Sequence, residues 1–144
     1  MRFLETLGAA TPEPPPLAVP LMGAPVRAGF PSPADDYVED ALDLNQLMVR
    51  HKAATFFFRV RGNSMENAGI LNGDLLVVDR AVEPASGQIV VAAIDGELVV
   101  KRLVRRRGKV ILEAASPDYG PLEIGDAQTL DVWGLVTGVV RLLD

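Results

Sequence analysis

From Thr55 onward the chain alternates short apolar runs with tight-turn signals. Thr55–Val60 is aromatic and β-branched in character, and Leu75–Asp79, Gln88–Ile94, Glu97–Val104 and Val110–Ala114 follow it. A longer run closes the series from Leu130 to Leu143. Asn72-Gly73-Asp74, Ser86-Gly87, Asp95-Gly96 and Arg107-Gly108 punctuate these runs and predict turns. Asp95-Gly96, set between two apolar runs, predicts a type I′ hairpin, a turn that needs positive φ at both central residues. Half a dozen short strands joined this way predict a mostly β fold, a small sheet that is curled or barrel-like. Ahead of the strands, Asp36 to Lys52 predicts a short helix. Leu44, Leu47 and Met48 recur at i, i+3 and i+4, with Asp43 or Asp40 available as its cap.

The first 40 residues follow a different pattern. Eight of the 11 prolines fall between Pro12 and Pro33. Proline has no amide donor and a fixed φ, so this stretch is excluded from helices and from interior strands. It reads as an extended, largely solvated arm. Residues 1–40 carry two basic and six acidic residues, whereas residues 41–144 carry 12 and 13. The chain therefore divides into an arm (1–40) and a nearly neutral β domain (41–144).

Composition narrows the chemistry. The chain has 144 residues, 49% of them hydrophobic, enough for one domain with a real core. Without cysteine there is no disulfide scaffold, thiolate zinc site or cysteine nucleophile. The single histidine, His51, leaves a Ser-His-Asp triad only if it is the base. Neither a metal nor a cofactor is expected. A net charge of −5 argues against a DNA-coating protein. The longest apolar run, Ile89–Ile94, is far short of the ~20 residues of a membrane span. Glu5 and the early prolines argue against a signal peptide, so a cytoplasmic location is expected.

Three segments could carry chemistry. In Arg61-Gly62-Asn63-Ser64-Met65-Glu66-Asn67-Ala68-Gly69 a serine follows a strand and precedes residues able to open a helix. Its hydroxyl can project there, and free amides at a helix start can hold an oxyanion. The plainer alternative is that Ser64 is an N-cap. In Glu97-Leu98-Val99-Val100-Lys101-Arg102-Leu103, strand alternation puts Val99, Lys101 and Leu103 on one face and Leu98, Val100 and Arg102 on the other. Burial of the Lys101 face would disfavour the ammonium and make the amine a candidate general base. The alternative is an edge lysine whose stem lies on the sheet while its ammonium reaches water. In Val26-Arg27-Ala28-Gly29-Phe30-Pro31-Ser32-Pro33, a small residue before glycine in an extended stretch is an easily docked protease substrate, or simply a linker.

Together these segments resemble the LexA/UmuD family of self-cleaving serine-lysine proteases. The likeness runs from about residue 26 through Gly29-Phe30-Pro31-Ser32-Pro33, Asp43-Leu44-Asn45-Gln46-Leu47, Gly62-Asn63-Ser64-Met65, Asn72 to Asp79, Ala93 to Glu97, Lys101-Arg102-Leu103 and Thr129 to Gly134. It implies the LexA-type C-terminal protease fold, with Ser64 as nucleophile and Lys101 as general base. It also implies Ala28-Gly29 as the scissile bond and the backbone amides of Ser64 and Met65 as the oxyanion hole. Asn63 stands where the family usually has Asp, and Ala28 where close relatives often have Cys; neither position supplies a group the mechanism uses. The resemblance further implies a homodimer and stimulation by a RecA filament on single-stranded DNA in the SOS response. The cut form would serve as accessory subunit to a UmuC-type translesion DNA polymerase, with the polymerase sliding clamp as a further partner.

Other readings fit less well. A repressor would need a helix-turn-helix domain, and the 28 proline-rich residues before the scissile bond leave no room for one. A signal-peptidase-like enzyme would need an anchor or an apolar docking surface. A non-catalytic polymerase-binding module would not need Ser64, Lys101 and Ala28-Gly29 together. Lys101, Arg102, Arg105, Arg106, Arg107 and Lys109 put six cations into nine positions. Given the net charge, a solvated hairpin tip is the favoured reading over a DNA-binding patch.

Overall fold

The computed structural model describes residues 4–9, 16–22, 38–120, 122–123 and 130–144. The apolar runs become strands because each alternates between two packed faces. They are β1 (Leu4–Ala9), β2 (Ala18–Met22), β3 (Val38–Asp43), β4 (Thr55–Val60), β5 (Leu75–Asp79), β6 (Ile89–Ile94), β7 (Glu97–Arg106), β8 (Lys109–Glu113), β9 (Leu122–Glu123) and β10 (Leu130–Val140). The main sheet runs β1-β4-β5-β10-β6-β7-β8-β9 with antiparallel neighbours, and β2 and β3 form a separate two-stranded ladder. The six strands expected from the pattern are all present, in a mostly β fold of the LexA type.

Period-two alternation feeds two apolar clusters on opposite faces. Phe58, Val60, Leu76, Val78, Val91 and Val100 pack with Met65 and Ile70 in the first. Val90, Ala92, Leu103 and Leu112 form the second, with Val99, Val110 and Val132 against them. Each side chain buried this fully contributes ~1.5–3 kcal/mol, so these strands fix the fold. Trp133 of β10 stands edge-on to Phe56 and Phe58 at 5.1 and 5.0 Å between centroids, with the Arg80 guanidinium 4.2 Å above its ring. The Asp95-Gly96 turn has φ of 50° and 85°, as a type I′ hairpin requires, and Arg107-Gly108 repeats it at 53° and 76°.

Two expectations change. The helix predicted over 36–52 is confined to Leu44–Met48, α1, and the residues just before it are strand β3. Asp43 decides the boundary: its Oδ1 accepts from the Asn45 amide at 2.9 Å, capping the helix there, while β3 is held in extended form by β2. Leu44 and Leu47 are 63% and 56% exposed, so the apolar spacing does not bury a helical face. The second change concerns the arm, which is extended but also paired. β1 adds to the outer edge of β4, and β2 pairs with β3 although Pro20 lies within it; both are placements that tolerate missing donors.

Two predictions follow from the packing. An ideal Cβ on Gly134 would lie 2.7 Å from Val78 Cγ1 and 3.2 Å from the Asp79 carbonyl oxygen. Gly134→Ala should therefore cost ~1–3 kcal/mol. Gly138→Ala meets the flexible end of Met48 at 2.8 Å and Val77 only at ordinary contact distance, so it should cost less; equal thermal midpoints for the two variants would contradict this account. Asp74, buried, accepts from Arg141 Nε and Nη2 at 2.7 Å each and from the Leu71 amide at 2.7 Å. The Arg141 hydrogen bonds hold its carboxyl below the usual carboxylate range against the opposing effect of burial. A depressed folded pKa gives stabilisation that is present above the unfolded value of ~3.9 and is lost as pH falls through the folded one. Melting wild type and Asp74→Asn between pH ~7 and pH ~2 should give a gap that closes in acid; a constant gap would remove Asp74 from the acid response.

Candidate active site

Ser64 lies in the loop that joins β4 to β5. Gly62 adopts φ 97°, a conformation that suits glycine, and its amide donates to Asn72 Oδ1 at 2.9 Å, stitching the loop's two arms together. Met65 is buried in the first cluster, and its carbonyl accepts from the amides of Ala68 and Ile70 at 3.0 and 3.2 Å. Ser64 is thus held half-buried just before a single 3₁₀ turn at Glu66–Ala68. The amides of Glu66, Asn67, Ala68, Gly69 and Ile70 all donate to backbone carbonyls. No described residue accepts a hydrogen bond from the amide of Ser64 or of Met65.

Lys101 lies in β7, opposite Val90 of β6. As alternation predicts, Val99 and Leu103 on its face belong to the second cluster, and Leu98 and Val100 pack in the first. Val90, Leu103 and Leu112 on that face are fully buried, and burial lowers the Lys101 ammonium pKa below the usual lysine range. The Tyr119 ring faces Nζ, with 5.4 Å between nitrogen and centroid.

The segment after β8 brings these two neighbourhoods together. The Ala115 amide donates to the Ser64 carbonyl at 2.7 Å, and the Ala115 carbonyl accepts from Asn67 at 2.6 Å. On its other side, the register Arg102↔Glu113 and Leu103↔Leu112, continued by one residue, sets Lys101 opposite Ala114. Ser64 and Lys101 therefore flank residues 114–115, about 10 Å apart by backbone, or two strand spacings. No hydrogen bond joins Ser64 Oγ to Lys101 Nζ. Ser116 is buried; its hydroxyl donates to Glu66 Oε1 and accepts from the Asp118 amide, both at 3.4 Å, holding the turn that carries Tyr119.

The remaining candidates separate from this site or fall outside the description. Ala28 and Gly29 lie outside the described residues, in the connection between β2 and β3. His51 Nδ1 is hydrogen-bonded to Asp79 Oδ2 at 2.6 Å beside Thr55, whereas Ser64 follows Val60 at the other end of β4. A six-residue strand spans roughly 20 Å, so His51 does not serve Ser64 as a triad base. The basic run forms the β7–β8 hairpin, with Arg105, Arg106, Arg107 and Lys109 exposed and Arg106 paired to Glu113 at 3.6 Å. Sequence reasoning missed Ala115, Ser116 and Tyr119. The only local signal was the Ser116-Pro117-Asp118 turn, which says nothing about what it faces. Among the described residues, no group of three His, Asp or Glu side chains is placed to hold a metal, and no helix is long and apolar enough to cross a membrane.

The Peptidase S24-like family model matches residues 20–137. Protein ImpA of Salmonella typhimurium and its Escherichia coli counterpart are each 48% identical over 123 residues, 85% of this chain and 83% of the relative. Protein SamA of Salmonella typhimurium is 43% identical over 135 residues, 94% of each chain. The LexA repressor of Shewanella pealeana is 44% identical over 130 residues, 90% of this chain but 62% of the repressor. A family match over most of the chain, on a LexA-type β fold with a serine loop and a half-buried lysine beside one segment, makes this chain a member of the Peptidase S24-like family, a self-cleaving serine peptidase of the UmuD and LexA kind.

Proposed function

We propose that Ser64 and Lys101 are the catalytic dyad and that the substrate is the chain's own Ala28-Gly29 bond. The observation that carries this reading is the flanking of residues 114–115 by the two residues, with Lys101 on the face of Val90, Val99 and Leu103 and its ammonium disfavoured by burial. Lys101 Nζ takes the Ser64 hydroxyl proton as Oγ attacks the Ala28 carbonyl carbon. The tetrahedral oxyanion is received by the amides of Ser64 and Met65, which are not given to any described carbonyl. The carbon–nitrogen bond then breaks, and Lys101 returns the proton to the Gly29 amine. Water, deprotonated by the same lysine, hydrolyses the ester, freeing Ser64 and leaving a carboxylate on Ala28.

The biological setting belongs to the same proposal and is carried over from the family resemblance. A RecA filament on single-stranded DNA would act by favouring the arm docked over the dyad, which is a population shift and adds no catalytic group. The body of residues 29–144 would then join a UmuC-type polymerase and its sliding clamp as a homodimer in translesion synthesis, in the cytoplasm. Direct DNA binding is not part of this reading.

Two outcomes test it. Intact mass after incubation with RecA, single-stranded DNA and a nucleotide should reveal a species of residues 29–144, absent from Ser64→Ala and Lys101→Ala proteins of unchanged thermal midpoint. Cleavage by Lys101→Ala at a rate near wild type would remove the lysine from the mechanism. Without RecA, the rate should rise with pH from ~7 and level off below the ordinary lysine value of ~10.4, because the neutral base fills as pH passes a lowered pKa. A flat or falling profile would exclude a lysine base.

A further inference from the structure

The position of the proposed cut relative to the arm's strands has a structural consequence. Residues 1–28 contain β1 and β2; residues 29–144 contain the strands they pair with, β4 and β3. β1 lies antiparallel on β4 from Leu4↔Val60 to Ala9↔Phe56, with an irregularity between Thr6 and Gly8. β2 lies antiparallel on β3 from Ala18↔Asp43 to Met22↔Val38. Asp43 adds a third tie: the Leu17 amide donates to its Oδ2 at 3.2 Å, while its Oδ1 caps α1. Hydrolysis of Ala28-Gly29 breaks the covalent link and leaves every one of these pairings in place.

We infer that the excised segment stays bound to the body as two added strands, and that its release is a separate step which bares the outer edge of β4. The inference takes the position of the cut from the self-cleavage reading. Before the cut, the tether gives the arm a high effective concentration at its ladders; afterwards only the affinity of the ladders retains it. β4 has β1 on one side and β5 on the other. Loss of β1 leaves one side of Thr55–Val60 with unpaired amides and carbonyls, the kind of edge that takes up another extended segment. The occupant assigned to that edge is this chain's own residues 4–9.

The test separates retention from self-cleavage. A Ser64→Ala chain with a site-specific protease sequence across residues 26–31 is cut by added protease, so the result does not depend on the dyad. Failure of the dyad would appear only in the unmodified chain. Denaturing mass spectrometry should then find two pieces, and native mass spectrometry and gel filtration should find both in one particle. Glu5→Pro with Thr6→Pro removes at least one ladder donor, because neighbouring residues of an antiparallel strand alternate in facing the partner. The fragment should leave that cut protein roughly tenfold faster or more. Asp43→Ala should speed release a few-fold through β2, providing a second reading that leaves β1 untouched. Immediate separation of the unmodified arm, or retention unaffected by the proline pair, overturns the inference.

Discussion

Two hydrogen bonds on one alanine hold the architecture of the site together. Ala115 donates to the Ser64 carbonyl and accepts from the Asn67 amide, tying the β4–β5 loop to the end of β8. The two regions are separated by three strands in the sheet order, so this contact exists only because the sheet curls. The same closure seals the first apolar cluster, since Met65 and Ile70 in the loop pack against strands from both sides of the curl, with Ala115 against them. Burial of Met65 fixes where Ser64 stands, and the Ala115 ladder fixes how far it is from Lys101. Core packing and site geometry are therefore one constraint. A residue that disturbs the closure would loosen both.

Two opposing effects act on Lys101. A cation over an aromatic ring at a partly exposed position gains ~0.5–1 kcal/mol, which favours the ammonium. The Tyr119 ring stands 5.4 Å from the Lys101 nitrogen, at the outer range of such a contact. Desolvation by burial acts in the opposite direction and prevails, so the net shift is downward. Tyr119 is itself 43% exposed, which weakens its hold on the charge further. In the proposed mechanism this lowered pKa is what would let Lys101 act as a base from a fixed place on its strand.

What was legible in the sequence follows from the range of the interactions. Thr55–Val60 and Leu75–Asp79 were readable to the residue because alternation and flanking turns are local properties. Asp95-Gly96 was readable because its turn depends on two residues. β3 is not legible because its partner β2 lies some twenty residues earlier; the i, i+3, i+4 spacing from Leu44 to Met48 does give a helix, but only after the paired segment ends. β1 was invisible for the same reason, since the β4 edge lies about fifty residues further along. In the site, Ser64 and Lys101 stood out once their segments were read together. Tyr119 and Ala115 did not, because their importance comes from the curl of the sheet, which no short window encodes.

The arm's position makes its loss tolerable to the body. Among residues whose side chains are described, the buried apolar ones run from Phe58 to Leu135, all within 29–144. On the arm, Leu17, Val19 and Leu21 are 69%, 54% and 40% exposed. Apolar burial is the dominant favourable term in folding, so the described part of the arm contributes little of it. Its described attachments include two backbone ladders, each hydrogen bond of which exchanges a bond to water for one within the protein at a net ~0.5–1.5 kcal/mol. A segment held this way can be retained or shed without opening the core. β1 lies on the outer edge of β4 and β2 in a separate ladder with β3, so the product of the proposed cut would keep every strand that carries the two clusters.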